Sequence, residues 1–454
     1  MQSKKNIFLW VLYDFANSIV SIVFFLYFSQ WLVIDKSIPD IRFNLTFTIS
    51  ALALLFTAPL SGSLLDKSLR RITGLRYTTI LTAIFYGLCA IFALSDKVVY
   101  AIIFFTLGLY CYLLSFTFYT PLINDISSEQ KRGKISGLGI CANYLGQFAG
   151  LLIALPFAKG TLSFFNSSAR AETLLPSVIV FLVLSLPMLI FFKEPQKQQL
   201  RISKKQWTTT PLRTWFDWSL FFGCSKCSHP EGCVFKTNTL TSLKSKIKET
   251  IRETKILLSF SSVALFLLAY FLFNDAILTA SNNFPIFLEQ VWHVSDSIKT
   301  YILLGILVTS AIGGAISGLV ADKYGHKKTL MIILAGWIFI LPFIGLVTNF
   351  KLLIISTILM GFWFGSTWTV SRSMMSCIAP KGKHNLAFSY FGIAERASSL
   401  IGPVVWGLIV SNAVWMGPTR YRLAVLAITG FIILGLIALS RVKESLDKPN
   451  HQYS

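Results

Sequence analysis

The chain has 454 residues, of which 54% are hydrophobic, 14% aromatic and only 13% charged, with a mean hydropathy of +0.64. A soluble fold cannot hide that much apolar surface, so the composition excludes a soluble globular protein and leaves a polytopic membrane protein. The formal charge of +21, from 41 Lys and Arg against 20 Asp and Glu, fits contact with anionic lipid heads. It does not fit nucleic-acid binding, which would call for a soluble basic domain with base-stacking aromatics.

The opening Met1-Gln2-Ser3-Lys4-Lys5 runs into an apolar stretch from Ile7 to Val33. This stretch is longer than the apolar part of a signal peptide, and no small-residue cleavage pattern follows, so the first helix is expected to stay in the protein. It contains the least expected residue of the chain, Asp14, with Asn17 one turn away. A carboxylate at that depth costs roughly 2.5 to 3.5 kcal/mol on insertion scales and normally faces a cavity.

Eleven further stretches have the length of about 17 to 25 residues needed to cross a bilayer. They run near Leu45 to Leu65, Leu75 to Leu94, Val98 to Ile123, Ile135 to Phe157 and Leu174 to Phe192, then Ile256 to Phe284, Ile298 to Val320, Thr329 to Val347, Leu352 to Ile378, Leu386 to Val410 and Tyr421 to Ser440. The expected organisation is a six-helix bundle over 1–193, a cytoplasmic linker over 194–255, a second six-helix bundle over 256–443 and a tail over 444–454. Placing both termini in the cytoplasm puts most of the Lys and Arg residues on the inside, even when the long linker is discounted.

The halves repeat each other. Gly62-Ser63-Leu64-Leu65-Asp66-Lys67 closes the second helix and Gly318-Leu319-Val320-Ala321-Asp322-Lys323 closes the eighth, each followed by further basic residues. Recurrence of this Gly-x-x-x-Asp-Lys string at the same turn of two six-helix units points to a duplicated transporter. A gate is the expected role: the glycine lets helices approach, and the aspartate can meet the positive N-terminus of a helix from the other half.

The linker holds Cys224, Cys227, His229 and Cys233 within ten residues, an available ligand set for tetrahedral zinc, although the spacing differs from a standard zinc knuckle. Cytoplasmic thiols stay reduced, which argues against a disulfide there. Trp207, Trp215 and Trp218 precede the cysteines. After them Leu240, Leu243, Ile247 and Ile251 recur at helical spacing among lysines, as expected of elements lying on the inner leaflet.

Gly318 to Lys328, with Gly325 as its second glycine, resembles the signature loop of the major facilitator superfamily, and the copy after the second helix is degenerate, with Leu69 at the second glycine position. Trp10-Val11-Leu12-Tyr13-Asp14-Phe15-Ala16-Asn17-Ser18 resembles the opening of the autophagy-related vacuolar amino acid effluxers and their bacterial relatives. So do Ser136 to Ile140 with Tyr144-Leu145-Gly146, Tyr270 to Asp275, and Ala397 to Pro403. Three positions depart from that pattern: Ala276 replaces a glycine, Leu386 to Ser389 replaces Glu-Phe-Phe-Gly, and Glu395 stands where a small residue is usual.

The resemblance implies an all-α major facilitator fold of twelve helices in two pseudo-symmetric halves. It implies a secondary active transporter that moves an amino acid or similar small polar solute by alternating access, with helices 1, 4, 7 and 10 lining a central cavity. The ionisable groups farthest from predicted helix ends are Asp14, Asp275, Arg372 and the pair Glu395 and Arg396, and with Asn17 and Asn274 they form the expected substrate or coupling-ion path. A carboxylate there can take up and release a proton, so proton coupling is expected. Tyr110, Tyr112, Tyr119, Asn143 and Gln147 are further hydrogen-bonding candidates.

The expected partners are a small-molecule substrate, protons and membrane lipids, around a monomer with no cofactor other than a zinc ion at the cysteine loop. The expected location is a bacterial inner membrane, or a vacuolar-type membrane in a eukaryote. Alternative readings are an importer of a siderophore or other nutrient, and a receptor or sensor built on a transporter scaffold. No Walker loop, Gly-x-Ser-x-Gly elbow or His-Glu-x-x-His string supports an enzyme.

Overall fold

The computed structural model describes residues 4–65, 71–126, 129–165, 167–193, 260–380 and 384–443. Among them, 12 helices are long and apolar enough to cross a membrane. The first six are α1 (Lys4–Asp35), α2 (Asp40–Leu65), α3 (Arg71–Leu94), α4 (Val98–Leu122), α5 (Glu129–Ala158) and α6 (Ala169–Phe191). The second six are α7 (Ser261–Trp292), α8 (Asp296–Tyr324), α9 (His326–Leu346), α10 (Phe350–Ile378), α11 (Tyr390–Asn412) and α12 (Thr419–Ser440).

Several helices outrun their apolar stretches because the polar residues at their ends are paired. α2 starts at Asp40 rather than Leu45, and the buried Asp40 carboxylate accepts a hydrogen bond from the Tyr421 hydroxyl at 3.1 Å. α7 continues past Phe284 to Trp292, where Glu289 is salt-bridged. The linker expected over 194–255, with its cysteine cluster and amphipathic helix, lies outside the described residues.

α11 departs most from expectation. In place of one helix from Leu386 to Val410 there are two, His384–Ala397 and Gly402–Asn412, separated by Ser398 to Ile401. Pro403 explains why the second piece starts where it does. Its ring fixes φ in the helical range, and its missing N–H falls where a helix has no partner for one.

Apolar burial does little to drive helix association in lipid, so close packing and small residues carry it. α8 and α10 cross most tightly: a Cβ on Gly365 would lie 1.8 Å from the Ser310 backbone oxygen, and one on Gly313 would lie 2.1 Å from that of Phe362. α1 and α5 meet in the same way, with a Cβ on Gly146 falling 2.3 Å from the Phe15 oxygen. The two six-helix groups touch along α5 with α8 and along α2 with α11.

The hydrogen bonds between the two groups cluster toward the face opposite the chain termini. Tyr27 pairs with Thr300 at 3.0 Å, the Asn44 and Asn283 amides exchange hydrogen bonds of 3.0 and 2.8 Å, and the Thr48 hydroxyl donates to the Leu400 carbonyl at 3.2 Å. The interface is therefore closed on the far face.

Candidate functional site

Asp14 lies on α1, half-buried, on the side that faces α5. Its room comes from Gly139, where a Cβ would sit 2.7 Å from the Trp10 ring and 3.4 Å from Asp14 Oδ2. One turn along α5, Asn143 interacts with the same carboxylate and accepts a hydrogen bond from Gln147 Nε2 at 2.7 Å. With its oxygen occupied, the Asn143 amide is left to present N–H groups to Asp14. The ring wall behind is rigid: Trp10 stacks on Tyr119 at 4.9 Å, and Tyr13 hydrogen-bonds Thr79 at 2.7 Å.

The second half contributes the opposing charges. Arg372 on α10 and Glu395 on α11 form an ion pair at 3.1 Å with side chains 38% and 19% exposed, although both sit in the interior of a helix bundle. The pair is therefore not sealed off within the bundle. Arg396 crosses the interface, with its guanidinium 3.8 Å from the centroid of the Phe116 ring on α4, a cation–π contact between the halves. Asp14 lies within electrostatic range of Arg396, Arg372 and Glu395. Four groups from α1, α10 and α11 thus form one constellation of two negative and two positive charges.

Glu395 pairs with Arg372 on another helix while its neighbour Arg396 points elsewhere, because adjacent residues on a helix point about 100° apart. Arg372 turns inward to that carboxylate.

Asp275 stands apart from the constellation. It is 1% exposed, and its Oδ2 accepts backbone hydrogen bonds from Gly402 at 2.7 Å and Ile401 at 3.3 Å, which caps the second piece of α11. A Cβ on Gly402 would lie 2.3 Å from Thr279 Oγ1, so α7 and α11 meet there as closely as α1 and α5 do. Asp275 therefore does not face Asp14 and Arg372 across a cavity.

Asn274 links the two arrangements. It donates to the Glu395 carbonyl at 3.3 Å and accepts from Trp368 Nε1 at 3.0 Å. Asn17, beside the site and 1% exposed, has no hydrogen-bond partner for either side-chain atom among the described residues. Tyr119 and Tyr110 are occupied, donating to the Trp10 carbonyl and to Thr57.

The repeated turn differs from expectation in its packing. Gly62 lies within α2, while Asp66 and Lys67 lie outside the described residues. In the second copy, a Cβ on Gly318 would meet Thr369 at an ordinary 3.6 Å, so the close approach of α8 and α10 belongs to Gly313 instead. Gly325 has φ +97°, which a side chain would strain, and makes the turn into α9. Asp322 is 73% exposed and, among the described residues, forms its ion pair with His326 of its own half at 3.5 Å, and Lys323 lies over the Tyr324 ring. Cys224, Cys227, His229 and Cys233 lie outside the described residues.

A second charged cluster joins the halves at the far face. Arg170 of α6 holds Asp35 of α1 at 2.7 Å, Glu289 of α7 at 2.7 Å and Asp296 of α8 at 2.8 Å. Lys299, with a side chain 0% exposed, pairs with Glu289 at 2.5 Å and Asp296 at 2.6 Å and hydrogen-bonds Gln30 of α1. These residues fall at predicted span ends, where charges are ordinary, so no sequence signal marked them.

A family model described as "Vacuole effluxer Atg22 like" matches residues 25–447. Autophagy-related protein 22 of Yarrowia lipolytica is 25% identical over 328 residues, covering 69% of this chain and 52% of its own. The protein of the same name from Vanderwaltozyma polyspora is 29% identical over 231 residues, covering 47% of this chain and 43% of its own. The chain thus spans about half the length of these curated relatives. Among solved structures, a D-xylose–proton symporter superposes with a TM-score of 0.69 at 12% identity, covering 99% of this chain and 100% of that one. The nucleoside transporter NupG superposes with a TM-score of 0.66 at 12% identity, covering 96% and 98%. The fold is that of the major facilitator transporters.

Proposed function

The chain belongs to the vacuole effluxer Atg22-like family, and from that premise we propose that it is a proton-coupled secondary transporter of a small solute carrying a carboxylate, an amino acid or a similar metabolite. The observation that carries this reading is the constellation of Asp14, Arg372, Glu395 and Arg396 where the two halves meet.

With Asp14 ionised, the two carboxylates balance the two guanidinium groups. A proton on Asp14 leaves one net positive charge. Arg372 is already held by Glu395, while Arg396 has no carboxylate within 4 Å among the described residues, so the surplus charge is presented at Arg396. A solute carboxylate binds there with a charge-assisted, bidentate geometry available to it. Proton and solute then favour each other's binding by the same factor, which is the thermodynamic requirement of coupling. An apolar cavity bordered by Gln147, Phe284, Trp337, Phe364 and Trp406 meets the site at Gln147, which hydrogen-bonds Asn143, and suits the rest of a solute with an apolar side chain.

In proteoliposomes with an imposed pH gradient, the protein should accumulate at least one radiolabelled amino acid. Arg396→Gln should raise its KM by roughly tenfold or more, and Arg396→Lys by less, since a charged hydrogen bond is worth about 1.5 to 3 kcal/mol. Gradient-driven flux with an unchanged KM in Arg396→Gln would contradict the assignment of the carboxylate site.

A further inference from the structure

The charges at the far face carry an inference that goes beyond solute binding. In the closed arrangement described above, Arg170 touches both halves: Asp35 belongs to the first, and Glu289 and Asp296 to the second. Lys299 belongs to the second half and, among the described residues, reaches the first through the neutral Gln30. If the halves part at this face, Arg170 leaves with Asp35, and Lys299 stays with Glu289 and Asp296. The bonds lost are those from Arg170 to Glu289 and Asp296 and that from Lys299 to Gln30.

We propose that Arg170 is the latch of a gate at the face opposite the chain termini, and that Asp35 is the rest position that keeps its charge compensated when the gate is open. A buried charge stripped of every partner is strongly unfavourable, which would trap the carrier in one state. Here each cation has a carboxylate of its own half to retain, so opening exchanges bonds without orphaning a charge. Such an exchange between two satisfied arrangements is what a reversible two-state element needs. The Tyr27 and Thr300 pair and the Asn44 and Asn283 pair, uncharged and lying nearby, close with it.

The two residues then have opposite effects when neutralised, although they form one ion pair. Arg170→Gln removes two bonds that exist only in the closed state and should favour opening. Asp35→Asn removes the carboxylate of its own half that Arg170 pairs with among the described residues, while the closed state keeps Glu289 and Asp296, so it should favour closure. A scaffold salt bridge would instead give the same effect from either side.

The test places spin labels at Lys97→Cys and Lys351→Cys, exposed positions at the far ends of α4 and α10, one in each half. Cys141, Cys377 and the three linker cysteines are changed to Ser, and the full chain is reconstituted in lipid nanodiscs for pulsed electron–electron distance measurement. Arg170→Gln should raise the ratio of long to short distances roughly five- to tenfold, Asp35→Asn should lower it, and Arg170→Lys should fall between wild type and Arg170→Gln. Distributions that match wild type in both variants, or that shift the same way, overturn the proposal. Because the measurement needs no solute, shifted distances in a protein that moves no amino acid would uphold the gate and sink the transport reading. Unshifted distances with intact proton-driven flux would do the reverse.

Discussion

At the scale of single residues, the structure separates two aspartates that look alike in sequence. Asp14 and Asp275 both sit in apolar spans, and the cost of a carboxylate in hydrocarbon marks both. Only tertiary contacts tell their tasks apart. Asp14 is half-buried beside Asn143 and opposite two arginines, whereas Asp275 holds two backbone N–H groups at the start of a half-helix. Asp275→Ala should therefore lower thermal stability, by about 1 to 2 kcal/mol as for other lost caps. The surviving protein should keep the pH dependence of its flux. Loss of that dependence without loss of Tm in detergent would place Asp275 on the proton path instead. The partners of Asp14 were partly legible, since Arg372, Glu395 and Arg396 also stand deep in spans; which cation pairs with Glu395 was not, because that depends on how α10 and α11 turn.

At the scale of elements, helix crossings are set by glycines whose importance a motif search misplaces. Gly318 belongs to the repeated string, yet it has slack, and the tight crossing of α8 and α10 rests on Gly313 and Gly365. Gly365→Ala puts a methyl group against a backbone oxygen that cannot move without its helix, so it should destabilise by on the order of 2 kcal/mol or more. Gly318→Ala should be near neutral in the same thermal-unfolding series. Equal Tm values for the two would mean that the helices separate easily at that crossing. The break in α11 has a sequence signal in Gly402-Pro403, a proline suited to the first turn of a helix, but an apolar run on both sides hides it from a hydropathy window. Helix ends were the least legible, since Asp40 and Glu289 look like loop residues until Tyr421 and Arg170 are found beside them.

At the scale of the whole molecule, twelve spans and two repeated halves follow from composition and periodicity, because lipid admits little besides helices of sufficient length. The relation between the halves does not follow from them. Contacts far apart in sequence, such as Arg170 with Asp296 and Arg396 with Phe116, decide which face is closed and which charges meet. The central claim is that the proton rides on Asp14 and the solute on the opposing arginine. Solute counterflow and pH-driven uptake, compared in the same proteoliposomes, test it most directly. Asp14→Asn carries no titratable group there, so it should retain exchange of labelled for unlabelled amino acid while losing accumulation driven by a pH gradient. Gradient-driven accumulation at the wild-type level in Asp14→Asn would contradict the account.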